Sequence, residues 1–473
     1  MTRRTSTAAV AGVAAAACAF AVAITARGGA AAPAACAPPA GLAEPLAART
    51  ALAAASPPTR LLATFAQLTD AHVTDEESPA RLEPLDQIGP PYTSAFRPQE
   101  SLTGQVLAGA VRALDRLPLQ AVVETGDLVD NDQRNELDEA LAVLRGGRAD
   151  PSSGSPAYEG VQAATEADRA YYRPDLDQPL HPGLLAAAQQ PFESPGLRAR
   201  WYPVLGNHDI LVEGLLPPSA ATERIAVGDR KLVSLSATAL ALARTAHFDP
   251  SAIGAALASG LPGPSVRVTP DPQRRELTSA QAIAALRTAS GLHGGGRYLD
   301  YTFDLGRSLR AIVLDVVDRA GGQDGHIHPG QAAWLAKALR AAGSRRVLVF
   351  SHMPLPQVGG GAALLALLDR DPRVLAAIAG HTHRNSIAPR RSAAGGYWLI
   401  TTASLVDYPQ QARVFRLCAT QAGGVVLQTW TVSPDRSDPL VATSEQLALL
   451  DRAKARSTTS AGKPGDRDAS LYR

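Results

Sequence analysis

Cysteine is scarce: three in 473 residues. Cys18 falls within an apolar N-terminal run, which leaves Cys36 and Cys418. That supply builds neither a disulfide framework nor a thiolate metal site. An excess of either charge is missing too. Lys and Arg total 46 against 44 Asp and Glu, for a formal net charge of +2. Such a balance indicates no nucleic-acid groove and no attraction to an anionic membrane surface. No internal repeat is present. Nor is there a strongly hydrophobic span, because the uncharged stretch from Ala8 to Ala26 is mostly alanine.

The same stretch has another use. Arg3-Arg4 precedes it and small residues, Ala30-Ala31-Ala32-Pro33-Ala34, follow it. That order makes residues 1–34 a secretory signal peptide, and the twin arginine resembles a Tat signal. Export to the envelope, periplasm or medium is the expectation, with a retained signal anchor as the single route to a membrane. Cys36 sits in a poor lipobox, since Pro33 stands where leucine is expected. Residues 35–59 are Ala/Pro-rich without periodicity and read as a linker.

A hydrophobic content of 45% suffices for a sizeable core. The length allows one large domain with insertions or two to three smaller ones. Buried-strand patterns begin at Leu61–Leu68, recur at Gln120–Glu124 and Trp201–Leu205, and resume as an antiparallel pair near 297–303 and 309–315. Further strands are expected at 346–350, 374–379, 397–401, 413–417 and 425–432, and helices at 101–116, from about 133, and at 331–342. The catalytic domain then spans 60–435. It carries insertions at about 132–200 and 211–296, the second partly helical and suited to a lid. Residues 436–473 read as a short helix and a disordered tail.

Five of these strands end in residues able to hold a metal or move a proton. They are Asp70/His72, Asp127, Asn207/His208, His352 and His381/His383. Sites in open α/β sheets form outside the carboxyl ends of strands, so five such ends can converge. The resulting oxygen and nitrogen donors, with no thiolate, suit a pair of divalent ions such as Mn, Fe, Zn or Ni. Two ions about 3.5–4 Å apart need a shared ligand, and Asp127, positioned by Gly126, is the natural bridge. Imidazoles keep such a site near neutral and leave the ions acidic enough to ionise a water. His208 is most useful unligated, as a donor to the phosphoryl or leaving oxygen, with Asp209 fixing its tautomer.

The ordered series Asp70-x-His72, Gly126-Asp127-x-x-Asp130, Gly206-Asn207-His208-Asp209, Ser351-His352 and Gly380-His381-x-His383 resembles the calcineurin-like metallophosphoesterase superfamily, in particular an exported bacterial branch. The resemblance covers residues 61 to 385. It implies an α/β fold, a four-layer α/β/β/α sandwich of two mixed sheets flanked by helices, and a dinuclear hydrolase of phosphoric esters. By the same resemblance one metal is held by Asp70, His72 and His383 and the other by Asn207, His352 and His381, with Asp127 bridging. Purple acid phosphatases carry a tyrosine ligand shortly after the bridging aspartate. Here Leu128-Val129-Asp130 follow, so a ferric–tyrosinate site is not expected.

The remaining polar residues have blander readings. Asp130 and Asn131 read as supporting groups or helix caps, and His326 and His328 as a surface loop. His181 and His247 read as solvent-facing. Arg97 and His293 are candidate substrate contacts, weighed against an ordinary ion pair and a plain loop. The expected partner is a small phosphorylated substrate, with diesters favoured; oligomeric state is not legible. The alternatives are a phosphomonoesterase or 5′-nucleotidase-like enzyme and, in another class, a catalytically inactive exported metal-binding interaction protein.

Overall fold

The computed structural model describes residues 36–42, 44–89, 95–163, 165, 170–245, 260, 262–453 and 460–473. The expected signal peptide and His247 lie outside them. Two mixed β-sheets face each other. The first has seven strands in the spatial order Ala47–Arg49, Ala469–Tyr472, Val425–Val432, Ala412–Thr420, Pro58–Leu68, Ala121–Glu124, Arg200–Pro203. The second has six, in the order Ser386–Arg390, Tyr397–Thr401, Val374–Ala379, Arg346–Ser351, Leu309–Leu314, Tyr301–Leu305.

Alternation along the strands explains the layering. Phe65, Val123 and Tyr202 of the first sheet meet Val313, Phe350 and Ile378 of the second in one apolar cluster. Phe65 stacks on Phe415 with ring centroids 4.8 Å apart and meets Phe350 edge-on across the interface at 6.0 Å. The residues between them in sequence point outward. Leu68, Val122 and Trp201 pack in a cluster with Leu107 and Val111 of helix Thr103–Leu114 and Leu141 of helix Arg134–Arg145. Leu314, Val347 and Val349 do the same with Leu335 and Leu364 of helices Gln331–Ala341 and Gly361–Leu368. The result is the four-layer arrangement that the resemblance implies.

Strands Pro58–Leu68, Ala121–Glu124 and Arg200–Pro203 run parallel to one another, as do Leu309–Leu314, Arg346–Ser351 and Val374–Ala379. Their carboxyl ends therefore open on one rim of each sheet.

Three expectations need correction. The 35–59 segment is not a plain linker, because Ala47–Arg49 is a strand paired in parallel with Ala469–Tyr472. The last residues are no disordered tail: Ala469–Tyr472 lies inside the first sheet, with helix Pro464–Arg467 before it. And although two cysteines make no framework, Cys36 and Cys418 form a disulfide, buried against Val426. All three depend on pairing between distant segments, which local composition does not report. Among the described residues no helix is long and apolar enough to cross a membrane.

Both insertions are packed, not free. The first contributes a two-stranded ribbon, Gly147–Ala149 with Phe192–Ser194. The second contributes helices Ala220–Ala226, Ala237–Thr245 and Ser279–Ser290. Buried charges tie the second to the 73–100 loop: Lys231 Nζ bonds Ser78 O at 2.9 Å and Glu83 at 2.7 Å, and Arg274 pairs with Asp75 at 3.0 Å.

Candidate metal centre

The loops leaving the parallel strands continue to pair beyond the sheet. Asp70 N donates to Gly126 O at 3.0 Å, His72 N to Asp127 O at 3.0 Å, and Gly380 N to His352 O at 2.9 Å. Gly126 has φ +89, and a Cβ there would come within 2.7 Å of Gly206 N and His352 Nδ1, so only glycine lets the loops approach this closely. The backbone that results is strained. Seven non-glycine residues among those described have positive φ, and five are expected ligands: Asp70, His72, Asp127, His381 and His383, at 52°, 45°, 54°, 64° and 49°. Each such conformation costs roughly 1–3 kcal/mol and persists only where surrounding structure over-determines it.

Six of the expected ligands gather in two of the three clusters, among the described residues, whose donor atoms lie within 4.8 Å of one another; the third is His72, Asp130 and His208. Asp70, His72 and His383 form the first, and Asp127, His352 and His381 the second. In the first, His72 Nε2 and His383 Nε2 are 3.2 Å apart and His383 Nε2 is 3.4 Å from Asp70 Oδ1. In the second, His352 Nε2 is 3.0 Å from Asp127 Oδ2 and 3.2 Å from His381 Nδ1. Asp127 Oδ2 also lies 3.7 Å from His72 Nε2, which puts this carboxylate between the groups. Asn207 lines the same cavity as Asp127, His381, His72 and His383. Its Nδ2 donates to Gly214 O at 3.0 Å, while its buried Oδ1 has no hydrogen-bond partner. A buried amide oxygen left unpaired is costly unless something electropositive faces it. Convergent imidazole nitrogens, carboxylates and that orphaned oxygen fit two divalent cations.

Partners on the remote ring nitrogens orient the imidazoles. His72 Nδ1 bonds Asp130 at 2.8 Å, His352 Nδ1 bonds Thr125 O at 2.8 Å, and His383 Nδ1 bonds Asp407 at 2.5 Å. Such supports fix tautomer and direction. Asp130 thus occupies the supporting role the sequence gave it. Burial sets one imidazole of each group low: His72 falls to about 4 and His381 to about 3, with the neighbouring His208 and His352 adding to the effect. At the other two burial acts in the same direction but is outweighed. Asp127 lifts His352 to about 9, and Asp70 with Asp407 lifts His383 to about 10.

His208 stands beside both groups. Its backbone N–H donates to Asp127 Oδ1 at 2.9 Å, and its Nδ1 to the carbonyl of Asp130 at 2.6 Å. A carbonyl only accepts, so Nδ1 carries hydrogen and Nε2 is the free atom. Asp209 does not do what its position suggested. It is buried and turned away, accepting from the backbone N–H groups of Gly206, Leu128, Asp127 and Val129 at 2.7–3.3 Å. Its job is to hold the Asp127 loop, and Asp130 O has the tautomer-fixing role instead. Burial and the nearby Asp127 raise its carboxyl to about 6.

Arg97 and His293 separate. Arg97 lines the cavity over the site and is 3% exposed, with Nε donating to Asp407 at 2.8 Å. His293 is exposed and is not among the cavity-lining residues. The cavity measures about 840 Å³ and reaches from His72, His208, His381 and His383 to His326. His328 is accounted for by Asp300 at 2.5 Å and a stacked Tyr298 ring at 3.6 Å.

Sequence reasoning missed Asp407, Arg81 and Glu213. Arg81 is buried among Glu213, Glu100 and Asp130 at 2.6, 2.9 and 3.3 Å. Asp407 could have been found as one more carboxylate shortly after a strand, Tyr397–Thr401.

No protein-family model and no curated protein sequence matches the chain significantly. Among solved structures, it is similar to a dimetal phosphatase from Danio rerio at 16% identity and a TM-score of 0.39, over 79% of this chain and 99% of that one. It is also similar to a purple acid phosphatase from yellow lupin (Lupinus luteus) seeds, at 10% identity and a TM-score of 0.34, over 80% of this chain and 55% of that one.

Proposed function

We propose that this chain is a calcineurin-like metallophosphoesterase, a dinuclear-metal hydrolase of phosphoric esters. The observation that carries the reading is the pair of donor groups joined at Asp127, opening on a cavity that Asn207, with its orphaned Oδ1, also lines. Asp70, His72 and His383 would hold one ion and Asn207, His352 and His381 the other, with Asp127 between. Bound there, two ions would supply Lewis acidity toward a phosphoryl oxygen and ionise a water as nucleophile.

The chain's own residues do the rest. His208, held through Nδ1 by Asp130 O, presents Nε2 to the substrate. In the imidazolium form Nε2 also carries hydrogen, and that proton goes to the departing oxygen or is donated to the phosphoryl group, leaving the neutral ring with Nδ1–H on Asp130 O. Asp130 and Asp407 hold their imidazoles against rotation, and Asp209 holds the Asp127 turn. A cavity of about 840 Å³ exceeds what a bare phosphate needs and leaves room for two ester arms, which favours diesters. The buried Cys36–Cys418 disulfide supports export to an oxidising compartment.

The test is hydrolysis of bis-p-nitrophenyl phosphate and p-nitrophenyl phosphate by the metal-stripped protein, then with Mn, Zn, Fe or Mg restored. Turnover should return with metal and be lost in His208→Ala and Asp127→Asn, and the diester-to-monoester ratio chooses the subclass. Tight binding of two ions with no turnover of either ester would replace the enzyme with a metal-holding interaction protein.

A further inference from the structure

The loop 318–326 forms one wall of the cavity, and it is shaped and pinned. Gly321 and Gly322 have φ 101° and 90°. Gly322 N donates to Leu215 O at 2.8 Å, tying the loop to the segment that follows Asn207 and His208. At its far end His326 N donates to Val316 O at 2.8 Å, and Gly359 N to Gly325 O at 2.8 Å. The His326 ring lies against Gly359, where a Cβ would come within 2.5 Å of Cδ2. Its Nδ1 donates to Ile327 O at 2.8 Å, which leaves Nε2 of the neutral ring as an acceptor on an exposed, cavity-lining side chain.

Two carboxylates stand on the same wall, beside the amide of Gln323, which can both accept and donate. Asp318 and Asp324 line it, and Asp324 is exposed with no hydrogen-bond or ion-pair partner among the described residues. The cavity's two arginines do not offset them. Arg81 is engaged by Glu100, Glu213 and Asp130, and Arg97 by Asp407. A second phosphate or a carboxylate on the substrate would therefore meet acceptors without a cation, whereas an ammonium group would meet complementary charge.

Building on the phosphoesterase reading, we propose that this wall selects the substrate's non-phosphate arm. His326 and Asp324 recognise a cationic hydrogen-bond donor, so the substrate class is phosphoric esters of amino alcohols. Polyphosphates and nucleic acids are selected against by the same residues.

The test uses non-hydrolysable ω-aminoalkylphosphonates of two to five carbons, each paired with the alkylphosphonate of equal length. They are titrated calorimetrically into the manganese-loaded protein, with bis-p-nitrophenyl phosphate turnover followed in parallel. At least one amino member should bind about fivefold more tightly than its alkyl match, the size of an exposed ion pair. The preference should vanish in Asp324→Asn and shrink in His326→Gln, both exposed positions. Equal binding of amino and alkyl members by a protein that turns over the diester would overturn the inference and leave the hydrolase standing. A preference that survives both substitutions would also overturn it. No turnover and no phosphonate binding would overturn both.

Discussion

A histidine serves a metal through one nitrogen only if the other is held, and here that holding comes from residues scattered along the chain. Asp407 lies 24 residues beyond His383, yet joins it at 2.5 Å and is itself fixed by Arg97. Asp407→Asn should weaken metal retention by about 10- to 100-fold, read by chelator competition. Gly214 is the other sensitive point: its φ is +65, and a Cβ would run into the His208 ring and Asn207 Nδ2. Gly214→Ala should lower turnover by about 100-fold, far out of proportion to its loss of thermal stability, because it displaces a donor and a ligand together. At this scale the residues of the two donor groups were legible, since each stands in a short block at a strand end. What those blocks could not convey was direction. Asp209 adjoins His208 in sequence but faces the opposite way, toward four backbone N–H groups.

The paired elements beneath the site carry a different sensitivity. Helices Thr103–Leu114 and Arg134–Arg145 bury Glu139 against Gly104, and its Oε1 has no hydrogen-bond partner. Burial, with Asp75 and Asp150 nearby, raises its carboxyl from 4.5 to about 8. The folded chain thus keeps a proton that the unfolded chain releases. This group's contribution to stability is full below about pH 4.5, falls as pH rises toward 8, and is level beyond. Glu139→Gln should remove that slope, giving a variant more stable than its parent at pH 8.5 by an amount on the order of a few kcal/mol, and similar at pH 4.5, by thermal melts at both. The parallel strands and their helices could be read from the sequence because each has its own period. Strand Ser386–Arg390 could not, for it is short and largely exposed. The insertions hid their packing for a related reason: their ties to the 73–100 loop are ion pairs and hydrogen bonds between remote residues.

For the whole molecule, the features that sequence did not reveal are those made by its most distant segments. Cys36 and Cys418 are 382 residues apart and close one side of the first sheet. Cys418→Ser should lower unfolding free energy by about 2–4 kcal/mol, measured by denaturant titration without reductant. Reductant should bring the parent down to the variant's value. Neither change reaches the candidate ligands, so the metal-restored turnover proposed above should be preserved at low temperature.

The placing of Ala469–Tyr472 also bears on how the chain is made. Among the described residues this strand is the sole sheet neighbour of Ala47–Arg49, and it covers the edge of Val425–Val432. On a ribosome the early strand must wait, unpartnered, until residues 469–472 have been made. A chain halted before residue 469 would show two bare edges, the kind of surface on which chaperones and proteases act. Closure of these edges therefore waits on the strand of the first sheet that comes last in the sequence.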